Sequence, residues 1–158
     1  MKKMLRDAEV IAGESKLTKE ELIKKVSELN KSSSAQLVQV FDADTIVSPI
    51  HVKFAFFHAL KAFENGKNIM RDKGLEVLLR AAGSRQLKEA TERVGVKDPK
   101  RIVIGCIGNK KKILRLLESN EKRFVHGNRK AVAQLFNLNP KSDLDKQIIE
   151  KIVLLQLD

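Results

Sequence analysis

Two short, strongly apolar runs constrain this chain most: Leu37-Val38-Gln39-Val40-Phe41 and the stretch from Arg101 to Ile107. The first is β-rich and bounded by polar residues, and the second is almost wholly apolar, the pattern of a strand buried on both faces. Between them the chain carries helical periodicities rather than regular βαβ alternation. Together with a weaker early strand across Met1 to Lys16, this indicates an α+β fold: a single domain of several helices packed on a small mixed β-sheet. A length of 158 residues suits one such domain without disulfides or metals.

The helices announce their ends. Thr18 and Glu21 form a capping-box pair ahead of Leu22, Ile23, Val26 and Leu29. Ser48-Pro49 places a capping serine before a proline at the first helical position, and the helix it starts runs to about Asn65, with Gly66 after it. Val52, Phe56, Ala59, Leu60 and Phe63 give that helix its core stripe; Ile50, Phe54 and Phe57 widen its apolar surface. Asn109 opens a helix whose first turn is Lys110-Lys111-Lys112, three cations at the positive end of a helix dipole. A short strand at Phe124-Val125 and a helix through Ala131, Leu135 and Phe136 follow. A last helix starts at Ser142 and carries Leu144, Ile148, Ile149, Ile152 and Val153, and the apolar run continues through Leu154, Leu155 and Leu157. An end this apolar is either packed into the core or covered by a partner; the partner is the favoured reading, with Ile148, Ile149, Ile152, Val153, Leu155 and Leu157 as the contact residues.

A net charge of +11 favours polyanionic partners, nucleic acid ahead of a membrane surface. Cys106 is the only cysteine; it excludes an intramolecular disulfide, suits a reducing, cytoplasmic setting and reads as a buried inert thiol. No run reaches the roughly 18 apolar residues of a membrane span. His51 and His58 lie seven residues apart on one helix, about 10 Å along its axis, too far to share a metal. Asp42 and Asp44 have no third ligand nearby in sequence. No phosphate loop, dinucleotide fingerprint or nucleophile motif is present, so the sequence predicts neither an enzyme nor a bound cofactor or metal. Glu76 and Arg80 have the i,i+4 order of a structural ion pair.

The stretch from Asn68 to Val94 carries the functional signal. Leu75, Leu78, Leu79 and Ala82 line one helical face, Gly83 follows where positive φ is needed, and Ser84 stands ready to cap the next helix, whose stripe is Leu87, Ala90 and Val94. A helix start beside a glycine and Arg85 suits a phosphate or another anion. Asn68, Ile69, Lys73, Arg80, Gly83, Ser84, Arg85 and Gln86 are the candidate RNA-binding residues, as donors to phosphates and base edges or, for Ile69, as an apolar wall. A helix-turn-helix DNA-binding regulator, reading through the helix after Gly83, is the alternative.

These residues also carry a resemblance. Asn68-Ile69, then Gly74-Leu75-Glu76-Val77-Leu78-Leu79-Arg80-Ala81-Ala82-Gly83-Ser84-Arg85-Gln86-Leu87, with Ala90 and Gly95, resemble the small accessory subunit of the KEOPS complex, the family of the PRPK-binding protein (TPRKB). The likeness extends more loosely from Phe41-Asp42-Ala43-Asp44 to the apolar terminus, and departs at Ala82, where serine is common. The resemblance implies a non-catalytic subunit that binds the complex's kinase-like ATPase subunit, contacts the other KEOPS subunits indirectly, and binds the single-stranded CCA end of tRNA. It thereby supports threonylcarbamoyl-adenosine formation beside the anticodon.

Overall fold

A computed structural model describes residues 8–32, 36–124 and 128–155. Its four strands are β1 (Glu9–Ser15), β2 (Leu37–Asp42), β3 (Ile102–Ile107) and β4 (Ser119–Lys122), in the sheet order β2-β3-β1-β4. Seven helices accompany them among the described residues: α1 (Lys19–Ser32), α2 (Pro49–Glu64), α3 (Lys73–Ala82), α4 (Leu87–Val94), α5 (Lys110–Leu116), α6 (Arg129–Leu135) and α7 (Leu144–Leu154). A short 3-10 turn, Ala43–Thr45, links β2 to the segment before α2.

The expected α+β single domain is what the chain forms. The sheet, however, is antiparallel throughout rather than mixed. β1 and β2 run parallel, but β3 lies between them; β3 and β4 are likewise separated by β1. This is a split βαβ arrangement of ferredoxin-like order, with α2, α3 and α4 inserted between its second and third strands.

Strand alternation divides the core in two. Val38, Val40, Ile102, Ile104 and Cys106 point to the face covered by α1 and α5, against Leu22, Val26 and Ile113. Leu37, Phe41 and Val103 point to the other face, against α2, α3, α4, α6 and α7. Gly105 lets α2 close on the sheet: a Cβ there would stand 2.5 Å from Phe56 Cε2 and 2.7 Å from Val52 Cγ1. Burial pushes the Cys106 thiol up to about 11, consistent with an inert core residue.

Local signals mostly act as the sequence indicates. Thr18 N donates to Glu21 Oε2 at 3.0 Å and Glu21 N to Thr18 Oγ1 at 3.2 Å, closing the capping box. Asn109 caps α5 through Lys112 N, and Lys110 offsets part of the basic first turn by pairing with Glu121 and Glu9. Ser48 precedes Pro49 as expected but makes no cap bond, because its hydroxyl donates to Asp145 at the start of α7. Asp143 rather than Ser142 caps α7, through Lys146 N. The late strand is also displaced: β4 is the polar segment Ser119–Lys122, while Val125 of the expected Phe124-Val125 strand lies outside the described residues. Among the described residues no helix is long and apolar enough to cross a membrane.

Candidate functional site

The turn between α3 and α4 is built by a Schellman-type ending. Gly83 adopts φ 66°, Gly83 N donates to Arg80 O at 3.2 Å, and Ser84 N donates to Leu79 O at 3.2 Å. Ser84 does not cap α4. Its Oγ accepts from Gln86 N at 3.1 Å, fixing the turn, and Gln86 becomes the capping residue with no side-chain cap bond. The first intrahelical bond of α4 is Ala90 N to Gln86 O, so the amides of Leu87, Lys88 and Glu89 have no acceptor within the helix. Arg85 and Gln86 are exposed beside them, while Ser84 is buried. Arg85 Nη1 donates to Leu155 O at 3.3 Å, which joins this turn to the end of α7.

The eight sequence-nominated RNA residues do not form one cluster. Gly83, Ser84, Arg85 and Gln86 stand at the end of α3, whereas Asn68, Ile69 and Lys73 stand at its start. Ten residues of helix place these groups about 15 Å apart. Lys73 is exposed with its ammonium 5.6 Å from the Phe63 ring centre, Asn68 Nδ2 donates to Met70 O at 2.9 Å, and Ile69 packs against the core.

Arg80 is a correction. It is 1% exposed and therefore does not face solvent. Its Nε and Nη2 both lie 3.2 Å from Glu76 Oε2, and Glu76 Oε1 accepts from Ile69 N at 2.5 Å and Met70 N at 2.8 Å. The ion pair thus ties the loop before α3 to the helix. Arg80 Nη1 is buried with no hydrogen-bond partner among the described residues, so the guanidinium depends on Glu76 for its compensation.

The terminal helix is divided too. Ile148 and Ile152 are fully buried, Leu155 is buried against the body of the protein, and Ile149 is half-buried on the core. These side chains are internal packing, not an open partner surface. Val153 and Leu154 face outward at 39% and 57% exposure, and Leu157 lies outside the described residues. Leu154 was not among the nominated contacts, yet it is more exposed than any of them that is described.

Other nominated groups are accounted for structurally. His51 is fully buried: Val47 N donates to its Nδ1 at 3.1 Å, and its Nε2 donates to Ala81 O at 2.7 Å. Burial holds this imidazole down at about 4, although the Ala81 bond and the charge of Asp145 act the other way. Asp42 pairs with Lys97 and Asp44 with Arg101. Sequence reasoning did not anticipate an apolar groove of about 320 Å³ between α1 and the α3–α4 pair, lined by Ile23, Val26, Leu75, Leu78, Leu87 and Val96. Ile23, read as a core position of α1, opens into it at 48% exposure.

This arrangement sets a helix start with amides lacking intrahelical acceptors, beside an exposed guanidinium, next to an apolar helix face, the two joined through Arg85 and Leu155. The sequence matches the family model for kinase binding protein CGI-121 over residues 13–156. It is also 28% identical over 130 residues to the regulatory protein Cgi121 of Methanocaldococcus jannaschii, an alignment that covers 75% of this chain and 83% of that protein. The family match spans nearly all of the sheet and every helix described above, so the chain belongs to the CGI-121 family of kinase-binding proteins.

Proposed function

We propose that the protein is a cytoplasmic, non-catalytic subunit of the KEOPS complex that binds its kinase-like ATPase subunit and the 3′ CCA end of tRNA. In this role it supports threonylcarbamoyl-adenosine modification of tRNA next to the anticodon and needs no cofactor. Membership of a kinase-binding family supports the protein partner. The observation that carries the RNA half is the start of α4: amides without intrahelical acceptors, a left-handed glycine before them and the exposed Arg85 guanidinium alongside. Such a start meets a phosphate with both N–H groups and positive charge, while exposed Gln86 supplies hydrogen bonds to a base edge. The outward residues Val153 and Leu154 supply an apolar contact for the kinase.

Arg85→Ala and Gln86→Ala test the assignment. Both variants weaken tRNA binding and retain kinase association. Gln86 makes no bond to α7, so its variant separates RNA contact from support of the terminal helix. Unchanged tRNA binding by both would remove the turn from the site.

A further inference from the structure

Beyond the α3–α4 turn, the fold gathers a second set of cations that the sequence keeps apart. Lys100 and Arg101 precede β3, and Lys122 and Arg123 end β4 and follow it. Together with Ala12, Gly13, Ala43, Ile102 and Val103 they line a concave cleft of about 170 Å³ at the open end of the sheet. Among the described residues no carboxylate lines it. Arg101 is steadied by Asp44, and Lys122 by Glu14 at 2.5 Å. Asp42 and Asp98 also bear on Arg101, so the positive surplus of the cleft rests on Lys100 and Arg123, which have no ion pair among the described residues. The carboxyl of Glu14 is held below its ordinary value by the Lys122 hydrogen bond and charge, with Lys100 adding a smaller effect. The walls between these groups are strand and turn backbone with small or aliphatic side chains.

We propose that this cleft holds a phosphodiester group of an RNA backbone, a second contact separate from the α3–α4 turn. The proposal rests on RNA being the ligand of this protein, but not on recognition of its 3′ end. A phosphate is the fitting chemistry because a compact anion can sit among forked guanidinium and flexible ammonium donors without carrying sequence information. The cleft is concave rather than flat, which suits an inserted anionic group better than a membrane surface. A chain of contacts lies between the cleft and the turn. Ala43 lines the cleft, Val47 lies four residues on, and His51 bridges Val47 N to Ala81 O just before Gly83.

The test uses Lys100→Gln with Arg123→Gln, which spares the two ion-paired cations. The comparison protein carries Lys24→Gln with Lys111→Gln, exposed positions on the α1 and α5 side of the sheet. Binding to intact tRNA and to tRNA lacking its CCA end is titrated across salt concentration. The cleft variant should lower the magnitude of the slope of log K against log salt by about 1 to 2 with both RNAs, and the comparison variant by less than half of that. Equal slope changes in the two variants would mean that total charge alone acts, and would overturn the proposal. So would a polyglutamate competitor that displaces RNA from the wild type as effectively as unlabelled RNA does, since the cleft would then accept any polyanion. Loss of CCA dependence with the cleft effect retained would instead count against the 3′-end reading alone.

Discussion

Replacing Arg80 by alanine should damage the fold before it damages any binding event. The side chain is 1% exposed and shares the 0% exposed Glu76 carboxylate with Ile69 N and Met70 N. Removing one partner of a buried ion pair typically costs about 3–5 kcal/mol, because the other charge is left uncompensated. In Arg80→Ala the Glu76 carboxylate still accepts two backbone amides, so the lower end, about 3 kcal/mol, applies. In Glu76→Ala the Arg80 guanidinium loses the partner it has among the described residues and two loop amides lose their acceptor, so the cost approaches about 5 kcal/mol. For a domain of this size each kcal/mol moves the melting temperature by roughly 2–4 °C, which puts Arg80→Ala about 6–12 °C below wild type. Thermal unfolding by circular dichroism measures this directly. Glu76→Gln combined with Arg80→Met should cost less than either alanine variant, since no buried charge is left alone. An Arg80→Ala protein that melts with wild type yet fails to bind tRNA would refute the reasoning and return Arg80 to the binding surface.

Two further outcomes follow from the same geometry. Leu154→Glu should abolish capture by the kinase partner with little change in melting temperature, whereas Ile152→Glu, which drives a charge into the core, should lower stability by several kcal/mol; kinase capture surviving in Leu154→Glu would move that interface elsewhere. His51 titrates near its ordinary 6.5 when unfolded and at about 4 when folded, so the unfolded chain binds more protons between those values and stability falls as pH drops from 6.5 towards 4. The difference corresponds to about 3 kcal/mol, and chemical denaturation across that pH range should show a markedly flatter dependence in His51→Gln than in wild type.

The legible parts of this chain were those fixed by neighbours in sequence. The i,i+4 order of Glu76 and Arg80 disclosed their ion pair, Thr18 and Glu21 disclosed a capping box, and Gly83 disclosed the left-handed turn. What lay beyond reach was set by distant partners. Arg80 carries a charge, which in sequence reads as surface, and only the fold brings the loop backbone over Glu76 to complete its enclosure. Ser48 has the right position for a cap, but Asp145, far along the chain, takes its hydroxyl. β4 has no apolar alternation to reveal it, since Ser119, Asn120, Glu121 and Lys122 become a strand only by pairing with β1. The terminal helix misled for a related reason: an unbroken apolar run hides which residues turn inward, and Ile148 and Ile152 pack inside while Leu154 faces out.

The proposal that this family member recruits tRNA by its 3′ end is tested most directly by titrating the purified protein, at one fixed salt concentration, against intact tRNA and against tRNA lacking CCA. The account predicts clearly weaker binding to the shortened RNA, with that difference lost in Arg85→Ala. Equal affinity for both RNAs would contradict it and leave the +11 charge as a general polyanion surface.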